Sequence, residues 1–169
     1  MGEIHSLLKK RKSCRKFLPK SVPIQHIYTI LESARWAPSG KNGQPWRFVI
    51  VKENRTKNKI ASCSIYKEWM TDTDTFIVIY LDKTNSYNYK KDLQAIGAAI
   101  ENICLQAASM DIGTCWIGEI LEKEAEVNKI INVPKTYELM AVICVGYAKE
   151  DILRANRMEL NRLIYKEIY

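Results

Sequence analysis

Residues 38–51 have the sequence PSGKNGQPWRFVIV, in which a loop is followed at once by a strand. Two prolines and two glycines fall within the first eight positions, a density that is typical of an ordered turn. Glycine permits a positive φ and a close approach of backbone to a ligand. Residues 46–51 predict a strand, because they are rich in aromatic and β-branched side chains.

The loop also carries short polar side chains, those of Ser39, Asn42 and Gln44, that could hydrogen-bond the edge of a heteroaromatic ligand. The competing interpretation is a stable turn between two elements, and loop chemistry alone does not separate the two. Residues 40–43 (GKNG) also fit the GXXG of a KH nucleic-acid module. A KH loop joins two helices, whereas a strand follows here, so the KH interpretation is disfavoured.

On either side of this loop, apolar spacing predicts alternating helices and strands. Helices are predicted near residues 4–11, 24–35, 55–68, 93–107, 122–131 and 160–164, and further strands at 76–81, 114–118 and 139–147. Residues 12–20 are irregular, and no flexible linker or internal repeat is present. We therefore expect one domain over residues 1–169, with an α+β (α/β sandwich) fold in which helices flank a central sheet.

Composition excludes several classes of function. No apolar run approaches the roughly 20 residues that span a bilayer, and no secretory signal is evident, so we expect a cytoplasmic protein without membrane contact. No two of the five cysteines are separated by only two residues, which argues against zinc ribbons and iron–sulfur clusters. Only two histidines exist, so metal-dependent hydrolysis and Ser–His–Asp catalysis have little support. If the protein is an enzyme, a cofactor should carry the chemistry.

The net charge of +7 is concentrated at the N-terminus, where residues 1–20 hold seven Lys and Arg side chains against one acid. Three interpretations compete for this cluster: a solvated face, a nucleic-acid arm or a phosphate site for a small molecule. Arg11 and Arg15 could bind phosphate oxygens bidentately, and Ser13 adds a hydroxyl. Because the chain has no Walker A motif and no GxGxxG, side chains would have to hold any nucleotide.

Five stretches in this order resemble the FMN-dependent nitroreductase family. They are Arg11-Lys12-Ser13-Cys14-Arg15-Lys16-Phe17, the loop and strand start at 37–48, the helix from Asp92 to Ala108, the strand from Gly113 to Gly118, and the strand from Ala141 to Tyr147. The match spans residues 3 to about 165. The loop is the most specific of these signatures. With the resemblance, phosphate binding becomes the favoured interpretation of the basic cluster.

The resemblance implies a mixed sheet between helices and an intertwined homodimer with two FMN sites at its interface. It assigns the FMN phosphate and ribityl chain to Arg11, Lys12, Ser13 and Arg15, joined by a basic residue after the last strand, with Arg157 preferred to Arg154. From the partner subunit, the loop residues Pro38, Ser39 and Asn42 would reach the flavin, and Gln44 of the same loop is included in the site. The flavin ring would face the backbone of Trp116, Ile117, Gly118 and Glu119.

The implied activity is an oxidoreductase that passes electrons from NAD(P)H to an electron-poor small molecule, such as a nitroaromatic or a quinone, by a ping-pong mechanism. No catalytic side chain and no metal are required, because the flavin carries the chemistry. The alternative is a non-catalytic or regulatory flavin-binding protein of the same fold. The family also contains members that deiodinate substrates, dehydrogenate peptides or fragment flavin, and the short region 52–91 suggests an open acceptor site.

Overall fold

Four apolar stretches form one sheet in the computed structural model, which describes residues 2–149 and 156–169. The strands are β1 (Trp46–Val51), β2 (Thr75–Asp82), β3 (Gly113–Ile117) and β4 (Tyr137–Gly146), in the order β1-β2-β4-β3. All four were predicted, and their ends shift by at most two residues. The continuous apolar run of β2 is buried along its whole length because two strands flank it and helices cover both faces.

The strand pairing is simpler than the mixed sheet that the family resemblance implies. The pairs β1–β2, β2–β4 and β3–β4 are all antiparallel. Among the described residues, parallel pairing is limited to one bridge, between Ser13 and Thr114. The α+β class is confirmed, with strands and helices alternating along the chain.

Helices cover both faces of this sheet. On one face lie α2 (Ile24–Arg35) and α5 (Tyr89–Ser109), and on the other α3 (Asn54–Ala61) and α6 (Glu124–Ile131). The remaining helices are α1 (Glu3–Lys10), α4 (Lys67–Met70) and α7 (Leu160–Leu163). α5 is central, as its broadly apolar pattern predicted. In the described part of the chain, none of these helices combines the length and the apolar character needed to cross a membrane.

Two of the predicted helices take a different form. The helix expected over 55–68 is divided, because α3 ends at Ala61 and α4 begins at Lys67. The hydroxyl of Ser64 lies in this break and accepts a hydrogen bond from the Tyr66 amide, an alternative to helical bonding. The expected C-terminal helix is one turn, α7, whose apolar side chains are exposed. A helix this short is not stable without packing.

The irregular segment predicted at 12–20 is held against the sheet by backbone hydrogen bonds. Residues 11–18, here called the N-terminal segment, follow the outer edge of β3 and then the end of β4. The Cys14 amide donates to the Thr114 carbonyl at 2.8 Å, and the Leu18 amide donates to the Tyr147 carbonyl at 2.8 Å. The basic residues near the N-terminus are thus fixed on the body of the protein.

Asp92 organises the start of α5, and we expect its loss to destabilise the fold. Its Oδ2 accepts hydrogen bonds from the Ser86 hydroxyl at 2.7 Å and from the amides of Tyr87 and Asn88 at 3.1 Å. The Asp92→Ala variant leaves these donors without their acceptor, which should lower the free energy of unfolding by about 2–3 kcal/mol in urea denaturation. The exposed Asp72→Ala variant is the control, and equal stabilities for the two variants would contradict this role.

Candidate functional site

Arg11 provides the first indication of an anion site. It follows the last turn of α1, and its Nε lies 3.5 Å from Oε1 of Glu101. This nitrogen is buried, yet it forms no hydrogen bond within the described residues, because the approach to Glu101 lacks the required geometry. A buried donor without an acceptor is costly. An added anion would supply that acceptor, so the site fits a phosphate group.

The residues that follow Arg11 divide between the core and the surface. Cys14 is buried, whereas Lys12 and Ser13 are half-buried and Arg15 is exposed. Successive side chains of an extended segment point to opposite sides. Ser13 and Arg15 therefore share the side opposite to Cys14. The same alternation places Lys12 on the side of Cys14, and the binding of the FMN phosphate and ribityl chain by Arg11, Lys12, Ser13 and Arg15 stays a prediction.

Two glycines allow the N-terminal segment to approach the sheet this closely. A Cβ at Gly113 would lie 3.0 Å from the Cβ of Cys14 and 3.2 Å from the Gly146 carbonyl oxygen. A Cβ at Gly146 would lie 2.8 Å from the ring of Phe17, which is itself buried. Side chains at these positions would push the segment away, so both glycines set the position of the basic residues.

Backbone groups continue the site along β3. The Thr114 carbonyl faces the outer edge of the sheet, where it accepts from Cys14. Because the peptide groups of alternate strand residues point to the same edge, the N–H and C=O of Trp116 face outward as well. Trp116 is 45% exposed and Gly118 is exposed, whereas Ile117 is buried. This edge offers backbone donors and acceptors, which suit the polar rim of a heteroaromatic ring.

The loop at 38–44 is ordered, but its strain is not at its glycines. Positive φ angles occur at Lys41 (53°), Asn42 (54°) and Gln44 (45°) and at no glycine of the described chain. Ser39 Oγ accepts from the Gln44 amide at 3.0 Å and holds this shape. Non-glycine residues in this region store strain, which clusters at functional sites.

Gly40 is needed in this loop for a reason other than a positive φ. A Cβ at Gly40 would lie 2.8 Å from the Tyr87 ring, so glycine serves close packing at this position. The expectation that the glycines supply the positive φ is therefore corrected. The Pro38 and Asn42 side chains are exposed, and those of Ser39 and Gln44 are half-buried.

The structure does not bring this loop to the N-terminal segment within one chain. The loop leads into β1, and the N-terminal segment borders β3, at the opposite edge of the sheet. Three inter-strand spacings of about 4.8 Å separate the two edge strands by about 14 Å. The two sets of predicted residues therefore lie at opposite edges of the sheet within one chain.

The structure does not place Arg157, the predicted C-terminal ligand of the FMN phosphate, at the site. The Arg157 guanidinium is exposed and donates to the carbonyl of the adjacent Asn156 at 3.2 Å. Arg154, the alternative candidate, lies outside the described residues. The role of Arg157 stays a prediction.

The thiols near the site are held in the neutral form. Burial raises the pKa of Cys14 and of Cys115, and it raises the pKa of Cys104 to about 11. A thiolate is the nucleophilic form of cysteine. These residues are therefore neutral core side chains at neutral pH. Within residues 2–149 and 156–169, no cluster of His, Cys, Asp or Glu is arranged to hold a metal.

Sequence reasoning did not identify two residues that shape the site, Thr114 and Ser64. Thr114 binds the N-terminal segment through its backbone, and the Ser64 hydroxyl donates to the Glu119 carboxylate at 2.7 Å. Both contacts join parts of the chain that lie more than fifty residues apart, so no local spacing pattern indicates them.

The similarity to known proteins includes the N-terminal segment, the loop at 38–44 and β3. The model of the nitroreductase family matches residues 8–65 and 53–147. A protein of Archaeoglobus fulgidus, provisionally named NADH dehydrogenase/NAD(P)H nitroreductase, is 28% identical over 154 residues, which cover 89% of this chain and 88% of that protein. The iodotyrosine deiodinase of Thermotoga neapolitana is 25% identical over an alignment of 185 positions, gaps included, which covers 95% of this chain and 96% of that protein.

A solved structure shares the fold over the whole chain. It is that of a Desulfovibrio desulfuricans protein, provisionally named a nitroreductase and crystallised with FMN. Its TM-score is 0.95 at 27% identity, and the alignment covers 100% of this chain and 99% of that one.

Proposed function

The chain belongs to the nitroreductase family, and from this premise we propose that it is an FMN-dependent oxidoreductase that works as a homodimer with NAD(P)H as electron donor. The observation that carries the proposal is the attachment of a basic segment to the open edge of β3. Arg11, which is ion-paired with Glu101 but whose Nε–H forms no hydrogen bond within the described residues, lies at one end of this edge, and the exposed backbone at Trp116 and Gly118 lies at the other.

Each part of this edge suits a different part of FMN. Arg11, Lys12, Ser13 and Arg15 would hold the phosphate and the ribityl chain, with Arg157 as a further candidate. The backbone of residues 116–119 would receive the polar rim of the ring, and fixed N–H donors there would stabilise negative charge that develops during reduction. When bound, FMN supplies the two-electron chemistry between NAD(P)H and the acceptor in a ping-pong sequence.

A homodimer is proposed because the two sets of predicted site residues lie at opposite edges of the sheet. The loop residues Pro38, Ser39, Asn42 and Gln44 lie at the opposite sheet edge, so we assign their contacts to the ring of the partner's cofactor. Residues 156–169, here called the C-terminal arm, support the same assembly. Leu160 is 70% exposed and Ile168 is 80% exposed, a surface that a second copy would cover.

The acceptor is proposed to be an electron-poor small molecule, such as a nitroaromatic or a quinone. Reductive deiodination is the second candidate, because the Thermotoga neapolitana relative is an iodotyrosine deiodinase that aligns over nearly its whole length. Steady-state assays with menadione, nitrofurazone and iodotyrosine as alternative acceptors separate these reactions on the same protein.

The first test is the visible spectrum of the purified protein, followed by release and identification of its chromophore. We expect about one FMN per chain and rapid bleaching of the flavin by NADH or NADPH in the absence of oxygen. Flavin that neither nucleotide reduces would favour the non-catalytic alternative. A colourless protein that takes up no added FMN would contradict the proposal.

A further inference from the structure

The carboxylate of Glu101 pairs with Arg11 but does not satisfy its buried nitrogen. The Arg11 Nε lies 3.5 Å from Oε1 of Glu101 on α5, and this N–H forms no hydrogen bond within the described residues. The side chain of Arg11 is 24% exposed and that of Glu101 is 43% exposed. The Nε of Arg11 is thus attracted to the carboxylate without a charge-assisted hydrogen bond, the stronger form of such a contact. The proposed function uses Arg11 and gives Glu101 no role.

Two ion pairs connect the end of α1 to the C-terminal half of α5 and the turn after it. Besides the pair of Arg11 with Glu101, the Lys10 Nζ lies 2.7 Å from Oδ1 of Asp111, two residues beyond the end of α5. α1 buries none of its side chains, and its Ile4 is 77% exposed. Because apolar packing of α1 is weak, these ion pairs contribute to holding Arg11 in place.

We propose that Glu101 is an internal counter-anion of Arg11 that the FMN phosphate displaces, so that this carboxylate lowers the affinity of the protein for its cofactor. The inference rests on the proposed function, because it takes Arg11 as a ligand of the phosphate. The donors of a guanidinium form one planar fork, so an acceptor that draws the fork toward itself turns it away from another. A phosphate gives the Arg11 Nε the acceptor that Glu101 does not, but it must first compete with that carboxylate.

The test compares FMN with riboflavin, which has the same ring and ribityl chain but no phosphate. Glu101→Gln removes the charge and keeps the size of the side chain. We expect its dissociation constant for FMN to fall about fivefold, which corresponds to about 1 kcal/mol, the upper value for a partly exposed ion pair. The constant for riboflavin should change by less than about twofold, and fluorescence titration of the apoprotein measures both. Unchanged or weaker FMN binding, or an equal gain for the two flavins, would overturn the inference.

The matched control is Asp111→Asn, which removes the other ion pair at the end of α1. Asparagine tolerates the positive φ of 58° at this position, so the turn should be kept. This variant should bind FMN within about twofold of the wild type. A gain equal to that of Glu101→Gln would show that loosening of α1, not release of Arg11, is the cause, and the inference would be wrong.

A double variant tests whether Glu101 acts through Arg11. In the Arg11→Ala background, Glu101→Gln should change the FMN affinity by less than about twofold, because no guanidinium remains for the two anions to share. A full fivefold gain in that background would show that Glu101 repels the phosphate directly, which would overturn the role of counter-anion.

Hydrogen exchange provides a readout that does not depend on flavin affinity. If Glu101 holds Arg11 in the apoprotein, the amides of α1 should exchange about fivefold faster in Glu101→Gln than in the wild type. Added FMN should remove this difference, because the phosphate then holds Arg11 in both proteins. Identical exchange in the two apoproteins would contradict the inference.

These outcomes also separate the inference from the proposed function. Wild-type protein that takes up no FMN would overturn both. Wild-type protein that binds FMN, together with a Glu101→Gln variant that binds it no more tightly, would overturn the inference alone.

Discussion

The Arg15→Ala variant should lose FMN during purification, with a dissociation constant about 10- to 150-fold higher than that of the wild type. Arg15 lies on the same side of the N-terminal segment as Ser13, and it is exposed, so its removal should leave the fold intact. A charge-assisted hydrogen bond is worth roughly 1.5–3 kcal/mol, which corresponds to this range. Fluorescence titration of the apoprotein with FMN measures the loss directly.

The matched control for this prediction is Arg55→Ala, which removes an exposed arginine from α3. Its FMN affinity should remain within about twofold of the wild type, since a distant surface charge is screened by salt. Arg15→Lys should fall between the two, because an ammonium group keeps the charge but loses the bidentate geometry. An Arg15→Ala protein with stoichiometric flavin would exclude Arg15 from the phosphate site.

The sequence predicted the strands better than the helices, for a physical reason. Each strand was a short apolar run bounded by polar or turn-forming residues, and β1 begins and ends where predicted, at Trp46 and Val51. The helix predicted over 55–68 is divided at Ser64, whose hydroxyl accepts from the Tyr66 amide and donates to Glu119, a residue from a distant part of the chain. Local periodicity contains no information on such a contact.

The site was predicted in its parts but not in its arrangement. The basic segment could be identified from its charge and its arginine spacing, and the loop from its prolines and glycines. Their separation follows from the strand order, which places β1 and β3 at opposite edges. Strand order is set by packing across the sheet, and neither motif encodes it. Because this strand order places the two sets of predicted ligands at opposite edges, we propose that two subunits share each site.

Removing the apolar character of the C-terminal arm should dissociate the proposed dimer and release FMN together. The arm exposes Met158, Leu160, Leu163 and Ile168 by 58–80%. Full burial of such a side chain contributes about 1.5–3 kcal/mol. The Leu160→Asp/Leu163→Asp double variant would lose two such contributions and place two charges in the interface. We expect the dimer dissociation constant to rise at least 100-fold.

Light scattering coupled to size exclusion measures the mass of this variant, and its absorbance at the flavin band gives the FMN content of the same peak. Asn161→Asp is the control, because it adds a charge to the same helical turn without removing an apolar group. The two losses should occur at the same protein concentration, since the proposed site takes its loop residues 38–44 from the partner subunit. A monomer that retains its full FMN would show that one chain is sufficient for the cofactor, and the shared site would be wrong.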